Sequence, residues 1–308
     1  MDTCLLCGEK KGTVLLNAGP HPIAHRYLEE TVTKEYIHPF ILTFCVRCGH
    51  MQLDDPIPPD IMYANYICFS SWKFQPHIPL LLKMIEEIPG LKKTSRILEV
   101  GSNDGMFMKR LKDKGYSDVM GIEPAQDVRK MAESLGVKTI PGYFEARTAN
   151  EFLAAGGKCD FLLSRQTLEH IQDLEKFSKT MQMVIKPGGY VLIEIPDFLT
   201  NLNTCDYTLW EEHENYFTLD TLNYFFAKNG IKTIDAKTIL FAGASLIALG
   251  QYDGKPQANP SLEYVPGLRE KAYRYRDNYS DLRRRFNDYL REQGRLGKKI
   301  AIYGAGAR

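Results

Sequence analysis

The chain has 308 residues, 44% hydrophobic and 25% charged, with a formal net charge of +1. That is enough apolar material for a real core and about two domains, and the near-neutral charge excludes a general attraction to nucleic acid or to an anionic membrane surface. No run approaches the roughly 18 apolar residues of a membrane helix, and the start, MDTCLLCGEK, lacks a secretory profile, so a cytoplasmic protein is expected.

In chain order, two CxxC pairs come first: Cys4 with Cys7, then Cys45 with Cys48, the second followed by Gly49-His50. Four thiolates suit the softness and tetrahedral preference of zinc. The long gap between the pairs demands a small subdomain that brings them together. The alternatives are a redox pair or four unrelated buried thiols. A redox CxxC opens a helix within a βαβ unit, and neither pair has that setting. Cys68, Cys159 and Cys205 stand alone and read as core packing. Residues 1–72 are rich in turn formers such as Pro20, Pro22 and Pro56, and are expected to be a zinc-binding domain in which the metal acts as a staple.

From about Trp72 the texture changes. HIPLLLKMIEEI reads as a helix, and SRILEVGSNDGMFMKRLKDKG as strand, turn and helix. Then follow strand DVMGIEP, helix AQDVRKMAESLG, the extended VKTIPGYF, helix TANEFLAAG, strand CDFLLSRQ, helix DLEKFSKTMQMVI and, after Lys186-Pro187-Gly188-Gly189, strand YVLIEIPD. This alternation predicts an α/β domain over residues 73–258, with a parallel sheet covered on both faces. Helix TLDTLNYFFAKNG and two last strands, IKTIDAKTI and SLIALGQY, paired as a hairpin, complete it. Residues 259–308 hold a long basic helix whose run Arg283-Arg284-Arg285 is either a solvated face or a phosphate contact. The closing KKIAIYGAGAR is a strand entering a glycine-rich turn, expected to open a further domain that is truncated here.

ILEVGSNDG, residues 97–105, carries the strongest local signal. Glu99, Gly101, Asn103 and Gly105 lie between a strand and a helix, where glycines let a ligand approach the backbone. A dinucleotide fingerprint would read GxGxxG. A carboxylate two residues before the first glycine would repel pyrophosphate but could hold a cationic amino-acid group, the pattern of S-adenosylmethionine sites in Rossmann-like methyltransferases. Glu123, followed by Pro124, ends the next strand, where a carboxylate accepts hydrogen bonds from ribose hydroxyls; it could instead be a helix N-terminal acid favoured by the dipole. Ser164 and Gln166 close the fourth strand and complete the expected cofactor set. His170, in LEHIQDL, either caps and packs or touches the chemistry.

LWEEHENYF, residues 209–217, sets Glu211-Glu212-His213-Glu214 between Trp210 and Tyr216-Phe217. The stretch is either an exposed acidic loop or a reacting centre: a histidine base, an orienting acid and aromatic walls that exclude water.

The order of motifs runs CxxC…CxxCG, Tyr66-x-x-Phe69-Ser70-Ser71, ExGxNxG, EIPD, Glu212-His213 before Tyr216-Phe217, then YGAGA. Over essentially the whole chain it resembles the sugar C-methyltransferases of deoxysugar biosynthesis, enzymes similar to the dTDP-sugar 3-C-methyltransferases. The resemblance implies a Rossmann-like class I methyltransferase core with a small N-terminal zinc-binding domain and a C-terminal α/β domain. It also implies S-adenosylmethionine and Zn2+ as cofactors, and a nucleotide-linked keto-deoxysugar as substrate; a monomer or weak dimer is expected. On that basis His213 is the catalytic base, Glu212 its acidic neighbour and Tyr66 an aromatic hydroxyl near the sugar. Trp210 departs from the family, which often has Tyr there. The ending is a second departure, which predicts poor nucleotide-sugar affinity. Two rivals remain: an O- or N-methyltransferase of another small molecule, and a non-catalytic zinc-stabilised binding module.

Overall fold

The computed structural model describes residues 3–10, 12–24, 34–63 and 75–301. Along them run β1 (Thr13–Pro22), β2 (Ile37–Phe44), β3 (Met51–Leu53), α1 (Pro59–Met62), α2 (Ile78–Glu86), β4 (Arg96–Val100), α3 (Met106–Asp113), β5 (Asp118–Glu123), α4 (Gln126–Ser134) and β6 (Lys138–Pro141). There follow α5 (Ala146–Ala154), β7 (Cys159–Arg165), α6 (Leu174–Val184), β8 (Ile185–Pro196), α7 (Phe198–Thr204), β9 (Asn215–Tyr216), α8 (Leu219–Lys228), β10 (Ile231–Ile239), β11 (Ser245–Tyr252) and α9 (Val265–Arg295). None of these helices is long and apolar enough to cross a membrane. They form two compact units.

The first unit holds the described residues within Met1–Ala64, Leu199–Glu214 and Leu262–Arg308. In it β1, β2 and β3 form an antiparallel sheet whose inner side chains include Leu16, Leu42 and Phe44. The buried apolar stripe of α9 lies in its first half, with Val265, Leu268, Ala272 and Tyr275 at helical spacing. That half anchors the unit. Tyr273 meets the ring of Phe44, Tyr264 donates its hydroxyl to the Cys48 carbonyl, and Tyr275 donates to the Asp206 carbonyl at 3.0 Å. In the second half Arg284 and Arg285 are exposed and pair with Asp281 on their own helix.

The second unit holds the described residues within Asn65–Phe198 and Asn215–Ser261. Its seven-stranded sheet has the order β10-β11-β8-β7-β4-β5-β6. β8, β7, β4, β5 and β6 are parallel, while β11 runs antiparallel to both β8 and β10. The expected terminal hairpin is therefore present, inserted so that the later strand lies inside. All five residues of β4 are buried, as a central parallel strand covered on both faces requires. α2 contributes Leu81 and Ile85 to the core, and α3 contributes Phe107, Met108 and Leu111. Asp173 caps α6 by accepting the Lys176 N–H at 2.8 Å, and Thr218 with Thr221 forms a capping box at α8. β8 begins at Ile185, before the strand expected at Tyr190, because residues 186–189 bulge out of β8 between Ile185, paired with Cys159, and Tyr190, paired with Phe161. From β4 the chain builds outward through β5 and β6, then returns to β7 on the opposite side. That reversal makes a topological switch point at the carboxyl ends of β4 and β7, where open α/β sheets bind ligands.

Candidate functional site

Within the second unit, the loop after β4 is shaped by its backbone. Gly101 has φ +68°, and a Cβ there would lie 2.3 Å from Thr167 Oγ1, so only glycine fits. Asn103 follows with φ +50°, and Gly105 opens α3. Glu123, ending β5, fastens this loop: its Oε2 accepts the Asn103 N–H and its Oε1 the Ala125 N–H, both at 2.9 Å. A carboxylate has about four acceptor positions, so these two bonds leave capacity for further donors. Burial pushes the Glu123 carboxyl up, against the pull of the two N–H groups. Pro124 is held through its carbonyl, which accepts from Arg129.

Glu99 is 1% exposed. Its Oε1 accepts from Arg165 Nε at 2.8 Å, and the Arg165 guanidinium lies 3.8 Å over the Phe107 ring. Burial pushes this carboxyl up and Arg165 pulls it down. Ser164 is fully buried on β7. Gln166, at φ +49°, donates to Glu194 Oε1 at 3.3 Å and to Ser245 Oγ at 3.1 Å. His170 ends a short 3-10 turn, its backbone N–H donating to the Thr167 carbonyl. All the cofactor candidates thus gather at the carboxyl ends of β4, β5 and β7.

Sequence reasoning missed two members of this region, Glu194 and His77. Their side chains are 1% and 3% exposed, with His77 Nε2 2.9 Å from Glu194 Oε1. The signal was an acid inside the apolar strand VLIEIP, which a buried strand tolerates only with partners.

LWEEHENYF, whose residues 209–214 belong to the first unit, is not a solvated loop. Glu211, Glu212 and Glu214 are buried and His213 is half-buried. The His213 N–H donates to the Trp210 carbonyl at 3.1 Å, and the two rings stand 6.2 Å apart. Glu211 Oε1 accepts the Ala24 N–H at 2.6 Å, and the Glu214 carbonyl accepts the Leu53 N–H at 3.0 Å. Tyr66, Cys68 and YGAGA lie outside the described residues.

The four cysteines Cys4, Cys7, Cys45 and Cys48 converge, every Sγ within 4.8 Å of the others. Cys4 and Cys48 sulfurs are 3.7 Å apart, and those of Cys7 and Cys45 3.6 Å. Zinc with Zn–S bonds of about 2.3 Å holds tetrahedral sulfurs about 3.8 Å apart, so the set fits. Two equivalent turns build it: the Gly8 N–H donates to the Cys4 carbonyl, and the Gly49 N–H to the Cys45 carbonyl. The glycine after each pair, Gly8 as well as Gly49, was the readable sign of paired knuckles. Hydrogen bonding from Cys4 holds Cys7 down at about 7 and also lowers Cys45. Cys4 and Cys48 are raised, through hydrogen bonding to Cys45 and Cys4 respectively. A bound dication would ionise all four together. Cys159 is a buried thiol pushed up to about 12 and so chemically inert.

This sheet order and loop define a Rossmann-like class I fold of S-adenosylmethionine-dependent methyltransferases, with a four-cysteine zinc site in the other unit. The chain belongs to the methyltransferase family: a model described as "Methyltransferase domain" matches residues 72–236, more than half of its length. A second, described as "Putative zinc binding domain", matches residues 4–63. The chain is 27% identical to the C-methyltransferase NovU of Streptomyces niveus, over 99% of this chain and 76% of that one. It is 29% identical to a ubiquinone biosynthesis O-methyltransferase of Bordetella avium, over 37% of this chain and 47% of that one, and so spans under half of that relative. Among solved structures, the PH0226 protein from Pyrococcus horikoshii covers 57% of this chain and 87% of its own, with 17% identity and a TM-score of 0.45. Magnesium protoporphyrin IX methyltransferase from Synechocystis covers 57% and 77%, with 12% identity and a TM-score of 0.42.

Proposed function

We propose that the chain is a C-methyltransferase of a nucleotide-linked keto-deoxysugar, with His213 as the base that forms an enolate. The observation that supports this most is the likeness to a C-methyltransferase over 99% of the chain, cysteine unit included. The O-methyltransferase likeness covers only 37%.

A carbon next to a carbonyl becomes nucleophilic only after it loses a proton, which calls for a base with a pKa near neutrality. His213 takes that proton. Glu212 beside it fixes the imidazole and stabilises its cation, and Trp210 helps to exclude water. Tyr66 would donate to the developing oxyanion. A bound S-adenosylmethionine supplies an electrophilic methyl group. Glu99 would hold its ammonium, Glu123 its ribose hydroxyls, and the loop of Gly101, Asn103 and Gly105, with Pro124, Ser164 and Gln166 beside it, would frame it.

The test is incubation of the protein with a panel of nucleotide keto-sugars and methyl-labelled cofactor. The expected product carries the label on a ring carbon. A labelled methyl on oxygen or nitrogen would replace this reading with the O- or N-methyltransferase.

A further inference from the structure

Arg165 holds the carboxylate that the cofactor's ammonium would use. If both cations shared Glu99 alone, they would stand side by side in a buried setting with one negative charge between them. The structure supplies a second anion. Glu194, opposite Arg165 in the β7–β8 register, has Oε1 engaged by Gln166 and close to His77. Its Oε2 is buried, has no hydrogen-bond partner among the described residues and lies 3.9 Å from Arg165 Nη1. Glu99 Oε2 is likewise without one. Two carboxylates therefore flank one arginine, and one oxygen of each is left without a donor among the described residues.

We propose that Glu194 is a positioning residue for cofactor binding: it takes up the charge of Arg165, so that Glu99 is free to hold the ammonium. The inference rests on the assignment of Glu99 to that ammonium. Arg165 needs to move only about one ångström to turn the 3.9 Å separation into a hydrogen bond. Its stacking on Phe107 allows the guanidinium to slide in its own plane.

A crystal structure of the wild-type protein with S-adenosylhomocysteine, which keeps the ammonium, tests the movement. The expected result is the ammonium on Glu99 and Arg165 within hydrogen-bond distance of Glu194. An Arg165 still bonded to Glu99 alone overturns the inference. Calorimetry tests the energetics by comparing S-adenosylhomocysteine with 5′-methylthioadenosine, the same nucleoside without the amino-acid part. Glu194→Gln is expected to weaken the first about tenfold or more and leave the second unchanged, since an ionic hydrogen bond is at stake. Equal losses for both, or for neither, overturn the inference. Glu99→Gln separates the two assignments. A selective loss there without one in Glu194→Gln keeps the ammonium on Glu99 and removes the role of Glu194; no selective loss in Glu99→Gln removes both. If Glu194→Gln does not fold, the wild-type crystal decides.

Discussion

His213 shares its short stretch with three buried carboxylates, a costly arrangement that solvent-exposed loops do not need. If His213 is the proposed base, His213→Asn is expected to lower kcat by roughly 10²–10⁴-fold, the usual contribution of general base catalysis. Thermal melting should be little changed, and a variant with full turnover would remove the base from the mechanism. Gly101 makes a purely structural prediction. Gly101→Ala forces a Cβ against Thr167 in left-handed backbone, and is expected to cost about 1–3 kcal/mol in a urea denaturation series. Glu99 makes one about pH. Its native carboxyl is raised, so the folded chain binds that proton more tightly than the unfolded chain does. The stability it contributes is complete below the ordinary value of 4.5 and is lost as pH rises through the raised native value. Glu99→Gln should flatten that decline. An unchanged slope across the same pH series would mean that burial does not govern this group.

Among the elements, the alternating strands and helices of the second unit were legible because buried parallel strands are continuous apolar runs and helices repeat at 3.6. VLIEIP and ILEVG are examples, and so are the knuckles, since four thiols in two CxxC pairs have few other uses. What periodicity could not reveal was long-range placement. Nothing local says that residues 199–214 join α9 and the cysteine sheet, because that union depends on contacts such as Tyr275 to Asp206 across a long separation. The early start of β8 was hidden by Pro187 and two glycines, which read as a turn but enter a bulge. For the cysteine element, metal analysis of the purified protein should find one zinc per chain. Cys45→Ser or a strong chelator should remove it and lower the melting temperature, because binding energy at a structural zinc site is folding energy. Metal-free protein with unchanged melting would contradict the structural role.

For the whole molecule, the fold was readable, and the ExGxNxG loop and Glu123 fall where the sheet order places a switch point. The charge network beneath was not, because Glu194 and His77 are far apart in sequence and meet only through β8 and the start of α2. S-adenosylmethionine at 100 times its Kd should add about 2.7 kcal/mol to stability by mass action; the absence of any thermal shift would favour a non-catalytic module. The most direct measurement is exchange of the substrate's carbon-bound proton in D2O. With S-adenosylhomocysteine in place of the methyl donor, the wild-type protein should wash deuterium into the position next to the carbonyl, and His213→Asn should not. Equal exchange by both proteins, or none by the wild type on a keto-sugar that it methylates, would contradict proton abstraction by His213.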